Sequence, residues 1–337
     1  MRDEAIDIVL AWVDGQDFAW RAQRDRYRAL ETVDADANSE IRYQDWGNLV
    51  YWFRAVERFM PWVHRVFLVT WGHVPGFLRL DHPKLQIVRH EEFIPSKYLP
   101  VFNSSTIEMN FHRIKGLSER FILFNDDIFP LRPVEPSYYF HHGVPCDEAV
   151  ESPIMPVDSG PISRYGCAIR VNAMLLINKH FNKRHVQEKN WWKWYFPGYG
   201  ELLQRNHALH YWYSFVGFHD PHAANPYLKS TLQRIWEAEP EVLARGMNRF
   251  RSHKDLNQYL LRYWQICEGG FYPRRILGKS FLLRMNNLHE AVDGIRHQAW
   301  LMVSLNEDCT AEEFSVMRRR VNNALQSILP EKSSFEK

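Results

Sequence analysis

Only four cysteines occur in 337 residues, and Cys146, Cys167, Cys267 and Cys309 form no CxxC pair. That argues against zinc ribbons and disulfide frameworks and leaves free thiols in a reducing compartment as the simplest reading. An excess of one charge is lacking too. With 42 basic against 40 acidic residues the net charge is +2, so no overall basic field advertises nucleic acid as a partner. No apolar run approaches the ~18 residues of a membrane-spanning helix. The opening MRDEAIDIVLAWVDG is too short and too acidic for a secretory signal. The expected location is the cytoplasm, with at most peripheral association with the inner face of the cell membrane. GxGxxG, GxxxxGK[ST] and GxSxG are all absent, so neither a dinucleotide fingerprint, a P-loop nor a nucleophile elbow is supported.

What is present is a globular composition: 45% hydrophobic, 24% charged, and a high 15% aromatic content that includes 13 Trp. IDIVLAWV (6–13), HRVFLVTWG (64–72), LQIVRH (85–90) and FILF (121–124) read as strands apolar on both faces. Between them, 48–63 and 105–121 show helical spacing, with Pro61 near the end of the first. This alternation predicts an open, largely parallel α/β sheet. Ligands gather at the carboxyl ends of such strands, where Asp14, Thr70 to Gly72 and Asn125 to Asp127 would share one rim. After residue 132 the texture changes. Residues 133–170 are loop-rich with six prolines, and 170–215 are helical and very aromatic, including NWWKWYF (190–196). Helical stretches follow at 227–245 and 252–266. Thr310, three before Glu313, opens an amphipathic helix over 310–327 with a capping box. The last ten residues are expected to fray. The resulting division is 1–132, a loop-rich and aromatic insert at 133–215, 216–330, and a tail at 331–337.

Five short stretches carry chemistry of some kind, each with a bland alternative. Asp126-Asp127 after an apolar strand suits a hard divalent cation, or a strand-to-turn junction. Asp14-Gly15 allows close backbone approach to a ligand, or is a turn dipeptide. His112 and Arg113 offer a proton shuttle and a bidentate phosphate contact, or an ordinary ion pair. FHDPH (218–222) offers His219 or His222 as a general base, with too few ligands for zinc. Arg249, Arg251, His253 and Lys254 form a basic cluster before a helix, or a solvated charged face. Each signal is weak alone; together they suggest a metal-assisted site for a phosphorylated substrate.

Longer blocks are more specific. IDIVLAWVDGQD resembles the first block of the Stealth family of capsular and wall polysaccharide phosphotransferases, to which the catalytic subunit of N-acetylglucosamine-1-phosphotransferase is related. RYQDWGNLVYWFRAVERFMPWVHRVFLVTWGHVP through LPVFNSSTIEMNFHRIKGLSERFILFNDDIF resembles the second block, HDPHAANPYLKSTLQRIWEAEPEVLARGMNRFRSHKDL the third, and SLNED (304–308) a short fourth. The resemblance implies a Rossmann-like, nucleotide-sugar-transferase-like α/β core with a mostly parallel sheet plus a helical insert. It also implies transfer of a hexose 1-phosphate from a nucleotide sugar, UDP-linked by expectation, to a hydroxyl of a polysaccharide or glycan acceptor. The product would be a phosphodiester of capsule or cell-wall polysaccharide, with nucleoside monophosphate released and Mg2+ or Mn2+ as cofactor. The implied catalytic positions are His222, Asp14, Asp127 and Arg251, with Asp126 and Asp127 on the metal. Asn103, Ser104, His112, Arg113, Asn125, Asp255 and Arg42 are the implied substrate contacts. Within Asp45-Trp46-Gly47-Asn48-Leu49, Gly47 and Asn48 replace the acids usual in the family, which leaves Arg42 or Arg54 short of a partner. The aromatic stretch near 190–215 belongs to no block; it reads as core or as a stacking surface for acceptor sugar. Rival readings are a metal-dependent glycosyltransferase that releases a nucleoside diphosphate and a non-catalytic glycan-binding protein.

Overall fold

The computed structural model of the protein describes residues 5–35, 37–157, 161–307 and 309–337. The chain begins with β1 (Ile6–Ala11), α1 (Phe18–Arg28), α2 (Leu49–Phe59), β2 (Val66–Thr70) and β3 (Leu85–Arg89). A single turn, α3 (His90–Phe93), leads to α4 (Ser104–Glu108), β4 (Arg120–Asn125) and β5 (Ile128–Pro130). The middle of the chain holds α5 (Pro136–Tyr139), β6 (Phe140–His141), β7 (Val144–Asp147), α6 (Pro161–His180), α7 (Lys183–Lys189), α8 (Trp191–Trp194) and α9 (Leu203–Leu209). The remainder is β8 (Asn225–Leu228), α10 (Lys229–Ala238), α11 (Pro240–Arg245), α12 (Gln258–Glu268), β9 (Tyr272–Pro273), β10 (Lys279–Leu283), α13 (Leu288–Arg296), β11 (Met302–Glu307) and α14 (Ala311–Ile328).

The central sheet runs β3-β2-β1-β4-β8, with the first four strands parallel and β8 antiparallel to β4. Both faces are covered, and side-chain alternation divides each strand between two cores. Ile8, Leu10, Leu68, Ile122 and Phe124 pack with α2, α13 and α14 on one side. Val9, Phe67, Val69, Phe121 and Leu123 face the other side, together with Ala173, Ile177, Trp194, Tyr227 and Ile266. The insert at 133–215 therefore completes the core of the sheet. The boundary at 132 is bridged as well, because β5 pairs antiparallel with β11, which also pairs with β10.

Two expectations need correction. The helix expected over 105–121 stops after Glu108. The Asn110 side-chain amide occupies the Thr106 carbonyl at 2.8 Å, where a continuing helix would place a backbone N–H. A 3-10 turn at Phe111–Arg113 follows, and Gly116 at φ +82° carries the chain out of helical geometry. The tail does not fray either. Phe335 is 3% exposed in the first core, and Glu336 accepts two 2.8 Å hydrogen bonds from Arg54, a partner far outside the family block. The capping box expected at Thr310 and Glu313 is formed. If the tail is a structural element, Phe335→Ala should cost about 3 kcal/mol in a urea unfolding experiment; an unchanged midpoint would mean that residues 331–337 contribute nothing.

Candidate active site

The strand order reverses between β1 and β4, and chain segments leaving their carboxyl ends border the crevice there. Ala11 is in register with Val69 and Asn125, so the three expected polar clusters do meet on one rim. After β1, the Asp14 N–H donates to His73 Nε2 at 2.9 Å, which ties the first cluster to the loop after β2. Gly15 is required by close packing against protein rather than ligand. A Cβ there would lie 1.7 Å from the Tyr43 carbonyl oxygen. Asn125 ends β4, and Asp126-Asp127 form the two-residue turn into β5, so the carboxylate pair sits where the chain crosses from one sheet to the other.

His222 Nε2 lies 3.0 Å from Asp127 Oδ2. Burial disfavours the imidazolium, but Asp127, backed by Glu108 and Asp126, more than offsets it and the His222 pKa is raised. Glu108, at the end of α4, was not among the residues singled out from the sequence. Burial pushes its carboxyl up to about 7, against the pull of a Gln258 N–H, Arg251 and His222. Asp126 remains reachable by solvent although protein surrounds its carboxyl. Desolvation and the neighbouring carboxylates Asp127, Asp45 and Glu307 push it up to about 8. Asp45 is raised as well, by burial and by Asp14, while Gly47 N–H and Arg318 oppose the shift. Gly47 itself adopts φ +62°, a left-handed conformation that disfavours any L side chain at this position, an acid included.

On the facing wall, Arg251 Nη2 donates to Ser104 Oγ at 3.2 Å, while Nη1 is buried and has no hydrogen-bond partner among the described residues. Asn38 grips the Arg251 backbone from both sides, at 2.9 Å each. Two other members of the basic cluster are engaged, Arg249 with Glu31 and His253 with Asp34, while Lys254 is exposed. Arg251, Ser104 and Asp126 line one cleft with Trp12, Trp20, Tyr43, His90 and Phe102. The cleft encloses about 640 Å³, part of it open to solvent. Among the described residues, no three His, Cys, Asp or Glu side chains converge as a ready metal cage. The crowded carboxylates of Asp126 and Asp127 nonetheless fit a hard cation whose remaining ligands are water and substrate oxygens.

Several implied contacts lie elsewhere. Asn103 is wholly buried; it caps α4 through Ser105 N–H and donates to Asp255 Oδ2 at 2.8 Å. Asp255, equally buried, also accepts from Tyr165 OH, Ser252 N–H and Asn248. Both hold the Arg251 segment from beneath instead of lining the cleft. His112 and Arg113 are not brought to the carboxylates, because the broken helix carries them toward the amino end of β4. Arg113 lies over the Trp236 ring, 5.1 Å away, and His112 is pushed down to about 3 by burial, Arg113 and Lys229. The side chain of Arg42 lies outside the described residues, as does Asp308 of SLNED. His219 is occupied: Nδ1 pairs with buried Glu148 and its carbonyl accepts from Arg262 at 2.7 Å. His222, not His219, faces Asp127.

Residues 4–31 match the Stealth protein CR1, conserved region 1, and residues 42–146 match the Stealth protein CR2, conserved region 2. The capsular polysaccharide phosphotransferase WcwK of Streptococcus pneumoniae is 36% identical over 336 residues, 99% of this chain and 98% of that protein. The chain belongs to the Stealth family. Among other Stealth relatives, the exopolysaccharide phosphotransferase cps2G of Lactiplantibacillus plantarum is 34% identical, covering 98% of this chain and 96% of that one. The receptor polysaccharide phosphotransferase WefC of Streptococcus gordonii is 35% identical and covers 99% of both chains. A solved glycosyltransferase, GlyE of Streptococcus pneumoniae, aligns with 94% of this Stealth chain and 83% of its own at 8% identity, with a TM-score of 0.25 that carries no argument.

The two outlying groups make opposite predictions. Glu108→Gln should reduce turnover by about 100-fold or more while leaving the unfolding midpoint nearly unchanged. His112→Leu should leave turnover within a few-fold and act on stability instead. Because the folded His112 pKa is depressed below the unfolded value, its contribution is intact above pH ~6.5 and is lost as the unfolded chain takes up a proton below that. Removing the ring should flatten the loss of stability between pH 6.5 and 4.5 by about 2 kcal/mol, read from urea midpoints at each pH. An inactive but equally acid-labile His112→Leu protein would return His112 to the reaction.

Proposed function

We propose that this protein transfers a sugar 1-phosphate from a nucleotide sugar to a hydroxyl of a polysaccharide acceptor in capsular or exopolysaccharide synthesis. The carrying observation is that one cleft opposes the unpaired Arg251 guanidinium N–H to a crowd of carboxylates headed by Asp126. A diphosphate bridged to a divalent cation is complementary to both. Relatives named as polysaccharide phosphotransferases across almost the whole length support the reaction class.

In this reading the acceptor hydroxyl oxygen attacks the sugar-bearing phosphorus of the donor. The bond from that phosphorus to the bridging oxygen breaks, and nucleoside monophosphate leaves with the electron pair. With its Nε2–H donated to Asp127, His222 keeps Nδ1 free to take the hydroxyl proton, and its raised pKa makes that transfer favourable. Arg251, steadied by Ser104 and Asn38, meets the charge on the non-bridging oxygens. Glu108 is within electrostatic reach of both Arg251 and His222, and its carboxylate would stabilise His222 once it has taken the proton. Trp20, Tyr43 and Phe102 give the donor an aromatic wall. Asp126 and Asp127 would hold Mg2+ or Mn2+, which when bound neutralises the diphosphate. No helix of the described residues is long and apolar enough to cross a membrane, and a peripheral position at the cytoplasmic face suits such an enzyme.

The test is product analysis. Purified protein is incubated with UDP-, GDP- and CMP-sugars, Mg2+ and a capsular polysaccharide acceptor, and the released nucleotide is identified. Monophosphate release that disappears in His222→Ala and falls by at least about 100-fold in Arg251→Ala is expected. Diphosphate release would instead establish a glycosyltransferase.

A further inference from the structure

Nine of the fifteen large apolar side chains exposed among the described residues fall between Met155 and Tyr213. They include Trp191 at 64%, Trp192 at 46%, Tyr211 at 82%, Trp212 at 53%, Tyr213 at 81% and Leu175 at 67% exposure. Hydrogen bonds fasten the segments that carry them side by side. The Asn178 side chain of α6 both donates to and accepts from the Phe215 backbone, at 2.9 and 3.0 Å. Tyr195 OH meets His210 Nδ1 at 2.8 Å, and Lys183 Nζ donates to the Leu209 carbonyl at 2.6 Å. Exposure is not a packing accident of one loop, since Trp194, between the exposed pair and Tyr195, is fully buried against Phe215.

Charge is concentrated in the same place. Residues 161–215 contain eight Lys or Arg against two acidic residues, and Arg170, Lys179 and Lys183 are paired with Asp220, Glu239 and Glu151 from outside the stretch. One of the two acids, Glu201, is paired with Arg275, while Arg184, Lys189 and Arg205 are exposed beside the aromatics. Tryptophan and tyrosine settle at the headgroup level of a bilayer, aliphatic neighbours enter below them, and lysine and arginine meet anionic headgroups. A sugar platform would draw on the ring faces alone and gain nothing from Leu175, Met155 or Val157. An interface with a second copy would set this surplus of positive charge against itself.

We propose that this aromatic and basic face of the insert docks on the surface of an anionic lipid bilayer. The contact does not depend on the reaction assigned to the cleft. It is tested by flotation of the full-length protein with vesicles of phosphatidylcholine alone or of phosphatidylcholine and phosphatidylglycerol in equal parts. Binding to the anionic vesicles that weakens with added salt is expected. Trp191→Ser with Trp192→Ser and Trp212→Ser should lower the partition by about tenfold or more, and Arg184→Glu with Lys189→Glu should do so by a similar factor. All five side chains except half-exposed Trp192 and Trp212 stand well out from the protein, so both variants should keep the wild-type circular dichroism. Absence of vesicle binding, or binding that both variants retain, overturns the proposal. So does a wild-type dimer in sedimentation velocity that the tryptophan variant abolishes, which would assign the face to a second copy. Retention on immobilised capsular polysaccharide without vesicle binding would assign it to glycan.

Discussion

Crowded negative charge at the carboxyl end of a parallel sheet is the constraint from which the rest of this site follows. Burial first, and then repulsion among Asp14, Asp45, Asp126, Asp127 and Glu307, raises the carboxyls of Asp126 and Asp45. The protein compensates only partly, with His222 against Asp127 on one side and Arg251 across the cleft on the other. An arrangement that is under-neutralised on its own becomes balanced when a cation and a polyanion enter together. On the proposed function, recognition of a metal-bound diphosphate would be a property of the whole cleft rather than of any one side chain.

Holding such charges in place takes a second set of buried ones. Arg262 is 1% exposed and bridges Asp147 to Asp220, while also binding the His219 carbonyl. It thereby anchors the loop that delivers His222. Asp255 plays the matching part beneath Arg251 through Asn103, Asn248, Tyr165 and the Ser252 N–H. Both hubs are satisfied by several hydrogen bonds each, which is what makes a buried charge tolerable. The two hubs share a framework: α12 carries Arg262 and begins just after Asp255, and α6 reaches both through Tyr165 to Asp255 and Arg170 to Asp220.

The legible part of the sequence was the part governed by short-range patterning. Strands apolar on both faces announced a parallel sheet, and Asp14 and Asp126 at strand ends announced its functional rim. Resemblance to the Stealth blocks singled out His222 and Arg251, whose own surroundings said little. Glu108 was invisible because its significance comes from α12, whose Gln258 N–H it accepts across 150 residues of chain. His112 misled for the opposite reason. Helical spacing over 105–121 placed it near the carboxylates, and only the Asn110 side chain, by capturing a carbonyl, redirected the backbone. Asn103 and Asp255 lay in the right blocks, yet burial gives them to the scaffold.

The crossing of the chain from β4 into β5 bears on how the protein is made. β5 finds its partner strand in β11, some 170 residues later, and β8, which closes the other edge of β4, comes about 100 residues later. As the polypeptide leaves the ribosome, the segment bearing both aspartates therefore emerges with two open strand edges. Assembly of the cleft must therefore wait for nearly the entire chain, since its long-range strand pairs cannot form earlier.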